Sequence, residues 1–427
     1  MIERIELFTT NKERLLFLLT LLFISSISLG FKYYSYKQFT AFDSQLVEVE
    51  VLKQYIKTKQ TIKGYDRTYQ VLKLKTDDGL SFYTIASKNL EPLKDKKLKL
   101  EIWAGDISFL EYLQSFFAYG KILSIEKDSS LRERVSQNID MQHQDSNISQ
   151  LYNALYLAKP LSFELQKQFS SLGISHLIAI SGFHLGLLSA FFLLLIRYPY
   201  KFLQNRYFPY RNYKRDSFLI IGFVLFFYML FVDTPPSLLR AFVMMLVGFI
   251  LYDRGVKIIS METLFVAVSL ILALFPALLF SIGLWLSVAG VFYIFLFLIH
   301  YDKRSNLWKL CFLPIWVYIM MLPYALVIFE NFSLYHPLSI LLTTLFTLFY
   351  PLSLLLHFFH LGNLLDALLQ FLMYLNIEAE NIKLHWSFLA IEILFSLIAI
   401  KQENIARLLL FYCCSIFIYS IYYVAEF

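Results

Sequence analysis

Charge and cysteine are the two things this 427-residue chain has least of. Only 16% of its residues are charged, and its three cysteines, Cys311, Cys413 and Cys414, all lie in apolar segments. Soluble domains carry about a quarter charged residues, so the deficit excludes a mainly water-soluble body. The cysteine placement excludes a disulfide framework in the polar part of the chain. Also missing are a Gly-rich phosphate loop, a Cys or His cluster with metal spacing and a G-x-S-x-G elbow. Without them no nucleotide, zinc or α/β-hydrolase chemistry is signalled. No cofactor and no catalytic site are expected.

What is present is apolar and comes in long blocks. The composition is 58% hydrophobic, and the mean hydropathy is +0.57. Leu15 to Phe31 is long enough for one spanning helix. No A-x-A-like cleavage site follows it, only Lys32, Tyr33 and Tyr34, so it reads as a retained helix rather than a signal peptide. Further candidate spans are 174–196, 217–232, 236–252, 260–275, 280–299, 310–328, 337–359, 386–400 and 406–424. Pro276, Pro314, Pro323, Pro337 and Pro351 interrupt or border several of them. Breaks at membrane depth are tolerated where they line an enclosed or watery cavity. The fold class is therefore a polytopic α-helical membrane protein, with about nine to eleven spanning or re-entrant helices.

Residues 43–128 are the one long stretch without a membrane-length apolar run. Val47 to Val51 alternates with period two, as does Tyr69 to Lys75, and Asp78-Gly79 sits between that stretch and Leu80 to Ala86 as a hairpin signal. Leu98 to Trp103 adds a strand, and Phe109 to Glu126 reads as an amphipathic helix and a closing strand. The region is expected to be a small all-β domain of five or so strands, OB-like in size. The chain thus divides into an N-terminal helix (1–37), the β domain (43–128), a polar linker (138–150) and a helical bundle (151–427).

Basic loops set the orientation. Arg197, Lys201, Arg206, Arg211, Lys214 and Arg215 face a lone Asp216 in the loop 197–216; Arg254 with Lys257, and Lys303 with Arg304, each follow two spans later. All three loops fall on one side, the cytoplasmic one, which puts the β domain outside the inner (cytoplasmic) membrane. Lys401 to Arg407 joins that side only if 337–359 is a re-entrant hairpin broken at Pro351.

Gly173 to Ile196 is the most informative segment. On a helix, Ser175, Ala179, Gly182, Gly186 and Ala190 form a small-residue packing stripe. His176, Ser181 and His184 spread over an arc of about 140° on the opposite side. One packing face and one polar face suit a translocation path; histidines hydrogen-bonded inside a bundle are the plainer reading. Asp233 to Phe242 places Asp233 at one span's outer end, Ser237 after a Pro pair, and Arg240 a turn inside the next. A central arginine costs roughly 2.5–3.5 kcal/mol on insertion scales. It pairs with Asp233, binds an anion or snorkels outward. Glu262, Glu330, His336 and Glu392 are the other ionisable groups at or near membrane depth.

In the β domain, Lys53, Lys57, Lys59, Lys63, Arg67, Lys73 and Lys75 crowd one hairpin with Asp66 as the counter-charge, and Tyr55, Tyr65 and Tyr69 are interleaved. Cations tracking phosphates with aromatics for stacking is a single-strand-binding pattern, at about 1–3 kcal/mol per stacked base. A merely solvated basic ribbon fits the same residues.

Ser175 to Leu187 (SHLIAISGFHLGL) resembles the "HLLAISGLHVGLL" segment of the ComEC competence family of DNA-uptake channels. Pro236 to Ala241 is similar to its "PSVVRA" segment, Ser281 to Ser287 to "PGFQLS" and Phe332 to Leu338 to "FSPLSPL". Tyr112-Leu113 to Gly120-Lys121 looks like the end of its extracellular OB-like domain. The resemblance implies transport of one DNA strand across the cytoplasmic membrane in natural transformation. His176, Ser181, Gly182, His184, Asp233, Ser237 and Arg240 would line or shape the path. Implied partners are single-stranded DNA, the lipid bilayer, an extracytoplasmic DNA receptor and a cytoplasmic translocation motor. Longer members carry a β-lactamase-like domain; no H-x-H-x-D-H pattern occurs here, so the short form is implied, with a separate nuclease if one is used. Trp285 replaces the family's Gln, and Ala158-Lys159 stands where a Gly-Asp pair is common.

Two rival functions fit the residues less fully. A membrane-embedded serine hydrolase would use Ser181 and His184 at i, i+3, and would need an orienting group and an oxyanion hole. An envelope lipid or polysaccharide transporter would need only the bundle.

Overall fold

The computed structural model describes residues 7–8, 10–60, 66–76, 79–87, 90, 93, 96–103, 107–126, 131–374 and 379–426. The chain divides into two compact units, one of residues 14–137 with 270–280, the other of 1–13, 138–269 and 281–427.

The first unit begins with α1 (Asn11–Phe39), a 29-residue helix with no buried residue. Leu15, Leu16, Leu22 and Phe23 are all exposed. A helix that is apolar all round and covered nowhere needs an apolar solvent. Its last turns enter the β domain, where Tyr36 Oη donates to the Ile107 carbonyl at 2.8 Å and Phe39 packs against Tyr112 and Phe116.

Four strands follow: β1 (Ser44–Gln60), β2 (Asp66–Thr76), β3 (Ser81–Ala86) and β4 (Lys97–Trp103). Then come α2 (Phe109–Gln114), β5 (Phe116–Phe117) and β6 (Tyr119–Glu126). The sheet order is β5-β3-β2-β1-β4-β6. β5 pairs parallel with β3 and β6 antiparallel with β4. Since only Ala118 separates β5 from β6, one segment borders both ends of the sheet. Period-two alternation buries Val49, Val51, Leu72, Leu74, Phe82, Leu98, Leu100 and Ile102 on one face. Gly79 takes φ +80° at the β2–β3 turn, where a side chain would be strained; Asp78 lies outside the described residues. α2 is only six residues long. Ser108 Oγ accepts from the Glu111 N–H at 3.4 Å and the Glu111 carboxylate accepts from the Ser108 N–H at 2.9 Å. The Ser108 hydroxyl, which donates to the Glu111 carboxylate at 2.6 Å, and then the Ser108 N–H hold that carboxyl below its ordinary range.

The second unit is helical: α3 (Leu131–Asp140), α4 (Ser146–Leu157), α5 (Phe163–Ser171), α6 (Ser175–Ile178), α7 (Gly182–Tyr207), α8 (Tyr213–Phe231), α9 (Pro236–Asp253) and α10 (Met261–Leu274). It continues with α11 (Ile282–His300), α12 (Asn306–Ile328), β7 (Asn331–Phe332), α13 (Leu338–Phe358), α14 (Asp366–Tyr374), β8 (Glu380–Asn381), α15 (Trp386–Ala399) and α16 (Glu403–Glu426). α3 and α10 each run across the division between units. One apolar core joins α4 and α6–α9 to α13, and another joins α11, α12, α15 and α16. Among the described residues, seven helices are long and apolar enough to cross a membrane: α1, α7, α9, α11, α12, α13 and α16. The protein is thus a polytopic helical membrane protein.

Four expectations are corrected. Residues 174–196 are not one helix but α6 and α7 with a break between them. The basic loop 197–216 is mostly helix, because α7 runs through Pro199 to Tyr207; its Asp216 is gripped by Arg211 Nε at 2.7 Å and Nη2 at 2.9 Å, which holds that carboxyl down at about 2. The stretch 138–150 is no loose linker: Ile139, His143, Ile148 and Ser149 are buried, and Asp145 caps α4 through the Asn147 N–H at 2.8 Å. Finally, α13 passes Pro351 without breaking. Even so, Glu403 and Arg407 share one cleft with His300, Lys303 and Arg304, so these basic turns lie at the same end of the bundle.

Two outcomes test this architecture. Leu100→Ala empties a fully buried site and is expected to cost about 2–5 kcal/mol, read as faster limited proteolysis of the β domain in the full-length protein. Ala158 sits at φ +56° after α4, a conformation costing an L-residue about 1–2 kcal/mol. Ala158→Gly relieves it against a smaller loss from unfolded-chain entropy, and should raise the melting midpoint by up to about 1 kcal/mol of stability; a lowered midpoint contradicts this account.

Candidate functional site

α6 stops at Ile178 because Ala179 (ψ 124°) and Ser181 (φ −135°, ψ 177°) are extended, and α7 restarts at Gly182. A break in an apolar bundle strands backbone donors and acceptors that water cannot reach. Neighbouring side chains take them up. Ser237 Oγ, in the first turn of α9, donates to the Ile180 carbonyl at 2.5 Å. His184 Nδ1 accepts from the Ser181 N–H at 3.3 Å and lies 3.1 Å from Ser181 Oγ. An accepting Nδ1 assigns the proton of the neutral ring to Nε2. That nitrogen lies toward the backbone of Leu177 but completes no hydrogen bond. Phe346 and Tyr350 close over the fully buried ring, with centroids at 5.1 and 4.9 Å.

Arg240 is buried one turn further along α9. Its Nη2 donates to the Gly283 carbonyl at 3.2 Å, and among the described residues its Nε has no partner. Among the described residues it makes no ion pair. A Cβ on Gly283 would lie 3.5 Å from Nη2, ordinary van der Waals contact, so the guanidinium lies directly against the first turn of α11. Gly182 brings α7 so near α9 that an added Cβ would stand 3.2 Å from Ala241 Cβ. The segments 175–187, 236–241 and 281–287, far apart in the chain, therefore meet around the break. Phe332 to Leu338 holds the turn between α5 and α6: Ser333 Oγ donates to the Ser171 carbonyl at 2.5 Å, and His336 Nε2 lies 2.9 Å from the Ser170 carbonyl. Gly173, at φ +71°, packs against the His336 ring.

The other residues singled out are more open. His176 is exposed, with Nδ1 3.1 Å from the Gly173 carbonyl and Nε2 3.3 Å from Thr343 Oγ1. Asp233 is exposed at φ +60° in the α8–α9 turn, its N–H bonded to the Leu230 carbonyl at 3.2 Å. Ser175, Ala179, Gly182, Gly186 and Ala190 do not form a packing stripe; all five are exposed, and of the two glycines Gly182 alone meets a neighbour. The break turns α6 away from the line of α7 and so separates their faces. Trp285 is also exposed.

In the β domain, the β1–β2 register places Lys53 opposite Lys73, Lys57 opposite Tyr69 and Lys59 opposite Arg67. Lys63 and Tyr65 lie outside the described residues. Lys73 Nζ stands 5.6 Å over the Tyr83 ring.

One cluster has no signal in the sequence. His143, His357 and Asp366 are joined by hydrogen bonds across 214 and 223 residues of chain, with Tyr152 and Tyr156 against them. No local pattern links positions so far apart. Glu392 is likewise fully buried and accepts from Tyr293 Oη at 2.8 Å. Among the described residues, no group of three or more His, Cys, Asp or Glu could hold a metal ion.

The close approach at Gly182 is open to test. Gly182→Leu is expected to lower the melting midpoint of the full-length protein in detergent by several degrees, and Gly182→Ala by less. Adding Ala241→Gly should restore most of the Gly182→Ala loss; no restoration would remove this contact from the account.

A model of the family described as "Competence protein" matches residues 158–425, more than half of the chain and all three segments that meet at the break. No curated protein and no solved structure matches it. From the extent of that match and the segments inside it, the chain belongs to the Competence protein family.

Proposed function

We propose that this protein is the channel through which one strand of DNA crosses the cytoplasmic membrane during natural transformation. The observation that carries the reading is the junction of three distant segments around a broken helix, with a buried arginine that makes no ion pair among the described residues. A phosphate chain needs cationic or hydrogen-bonding groups inside an otherwise apolar wall. Arg240 supplies the cation, while exposed His176 and the small residues after it leave room along one face. His184 and Ser237 shape the opening by holding its two helix ends. Membership of the family supports a role in DNA uptake.

The β domain is read as an OB-like receiver for the strand. Its segment 116–126 reaches strands at both ends of the sheet, as a closing barrel strand does, and its longest hairpin is basic. By the positive-inside rule, the basic turns at one end of the bundle support a cytoplasmic reading of that end and an external reading of the β domain. An extracytoplasmic DNA receptor, a cytoplasmic motor and a separate nuclease would complete the pathway.

Transformation by Arg240→Ala should fall by at least tenfold at unchanged protein level, with Arg240→Lys in between. Wild-type frequencies in both Arg240→Ala and His176→Ala would remove these residues from the path. A hydrolase reading has one observation in its favour, the 3.1 Å Ser181–His184 contact. The same contact serves as a helix cap, and among the described residues no hydrogen bond orients the ring from Nε2. A serine-reactive probe is expected to leave the protein unlabelled; labelling lost in Ser181→Ala would favour hydrolysis.

A further inference from the structure

The histidine cluster at the α3–α4 junction poses a proton-counting problem. His143 Nδ1 lies 2.9 Å from Asp366 Oδ1, His143 Nε2 lies 2.9 Å from His357 Nε2, and His357 Nδ1 lies 2.7 Å from the Ser353 carbonyl. Three hydrogen bonds in series need three protons. The Ser353 carbonyl can only accept, so His357 Nδ1 carries one, and its Nε2 then offers a lone pair. His143 must donate across the 2.9 Å gap, and it can do so in two ways. It is doubly protonated beside an ionised Asp366, or singly protonated beside a neutral Asp366 that donates to Nδ1. Both arrangements hold the same three protons, one more than a carboxylate and two neutral imidazoles possess. Without the extra proton, two lone pairs would face each other in a buried site.

We propose that the bundle contains a proton-binding site, in which His143, His357 and Asp366 together hold one exchangeable proton that closes the α3–α4 junction onto the end of α13.

The surroundings fit that occupant. The Tyr152 ring stacks on His143 at 4.7 Å and 14°, a placement that favours an imidazolium. Tyr156 Oη donates to Ser353 Oγ at 2.8 Å and lies 3.3 Å from His357 Nδ1. Asp145 at the α4 cap acts on Asp366 from the near side. Beyond Asn153, whose Nδ2 it accepts from, stands Asp140; Tyr228 and Tyr350 adjoin Tyr156. His143 is fully covered, whereas Asp366 keeps 15% of its side-chain surface open, which gives the proton a route to water. The site is also a clamp. Gln142 Nε2 donates to the His357 carbonyl at 3.3 Å, and its Oε1 accepts from the Gly362 N–H at 3.1 Å. A Cβ at Gly362 would stand 2.8 Å from both Gln142 Oε1 and His357 Nε2, so only glycine fits the closed turn.

Linkage sets the sign. The closed cluster binds a proton that the opened one gives up at neutral and higher pH, so raising the pH favours opening. The test is hydrogen exchange by mass spectrometry on the full-length protein in detergent, following peptides that cover 138–145 and 357–366 at pH 5.5 and 8.5. After correction for intrinsic exchange, protection is expected to fall at least tenfold at the higher pH. His357→Gln offers His143 a neutral donor, so it should close without the extra proton and stay equally protected at both values. Wild-type protection that is equal at both pH values overturns the proposal without recourse to any variant. So does a fall that persists in a folded His357→Gln protein. Protection restored at pH 8.5 by zinc and removed by EDTA would assign the facing nitrogens to a metal ion and overturn it as well.

Discussion

A backbone group that cannot reach water must find its partner inside the protein, and the competence-type bundle is arranged around one place where the chain makes that hard. Between Ile178 and Gly182 the helix gives out, and its freed groups would each cost roughly 1–3 kcal/mol if left alone. Ser237 and His184 answer them from α9 and from α7 itself. Much else follows from that solution. The Pro pair starts α9 at the position that lets Ser237 reach Ile180, Gly182 lets the two helices close up, and Arg240 is carried inward beside Gly283. The break is therefore the point from which the positions of the neighbouring segments are set.

A cost is accepted for this arrangement. Arg240 keeps a buried Nε without a partner, and His184 keeps a buried Nε2 in the same condition. Buried donors left open are uncommon in native proteins and concentrate where function needs them. In a channel for a polyanion, such donors are what a passing phosphate would use. The polar cluster around His143 differs in kind, since its hydrogen bonds run in an unbroken series once a proton is counted in. One site lacks acceptors and the other is complete, so the two ask different things of the bundle. The first leaves donors open; the second closes on itself.

Much of the architecture was legible because period and length are local properties. Eight of the nine bundle spans read from hydropathy each coincide with one helix, 174–196 being the exception, and the alternation of Val47 to Val51 and Tyr69 to Lys75 returns as the paired β1 and β2. Two departures share one cause: α13 runs unbroken through Pro351, while an apolar stretch containing no proline is broken at Ala179 to Ser181. Whether a helix tolerates a lost hydrogen bond depends on what surrounds it, and sequence-local rules do not contain that. The polar stretch 138–150 was misread for the same reason, since its buried histidine is covered by residues over two hundred positions away.

By itself the sequence determined that lipid is the main solvent, that one stretch of chain is β rather than membrane helix, and that five short segments carry a family likeness. Those are consequences of composition, periodicity and residue identity, which need no partner to be read. Only the tertiary structure decided that three of those segments converge on a single break, that the supposed packing stripe is open, and that His143, His357 and Asp366 meet. Each of these depends on groups brought together from distant parts of the chain, where the distance and direction between side chains, rather than their order, set the chemistry.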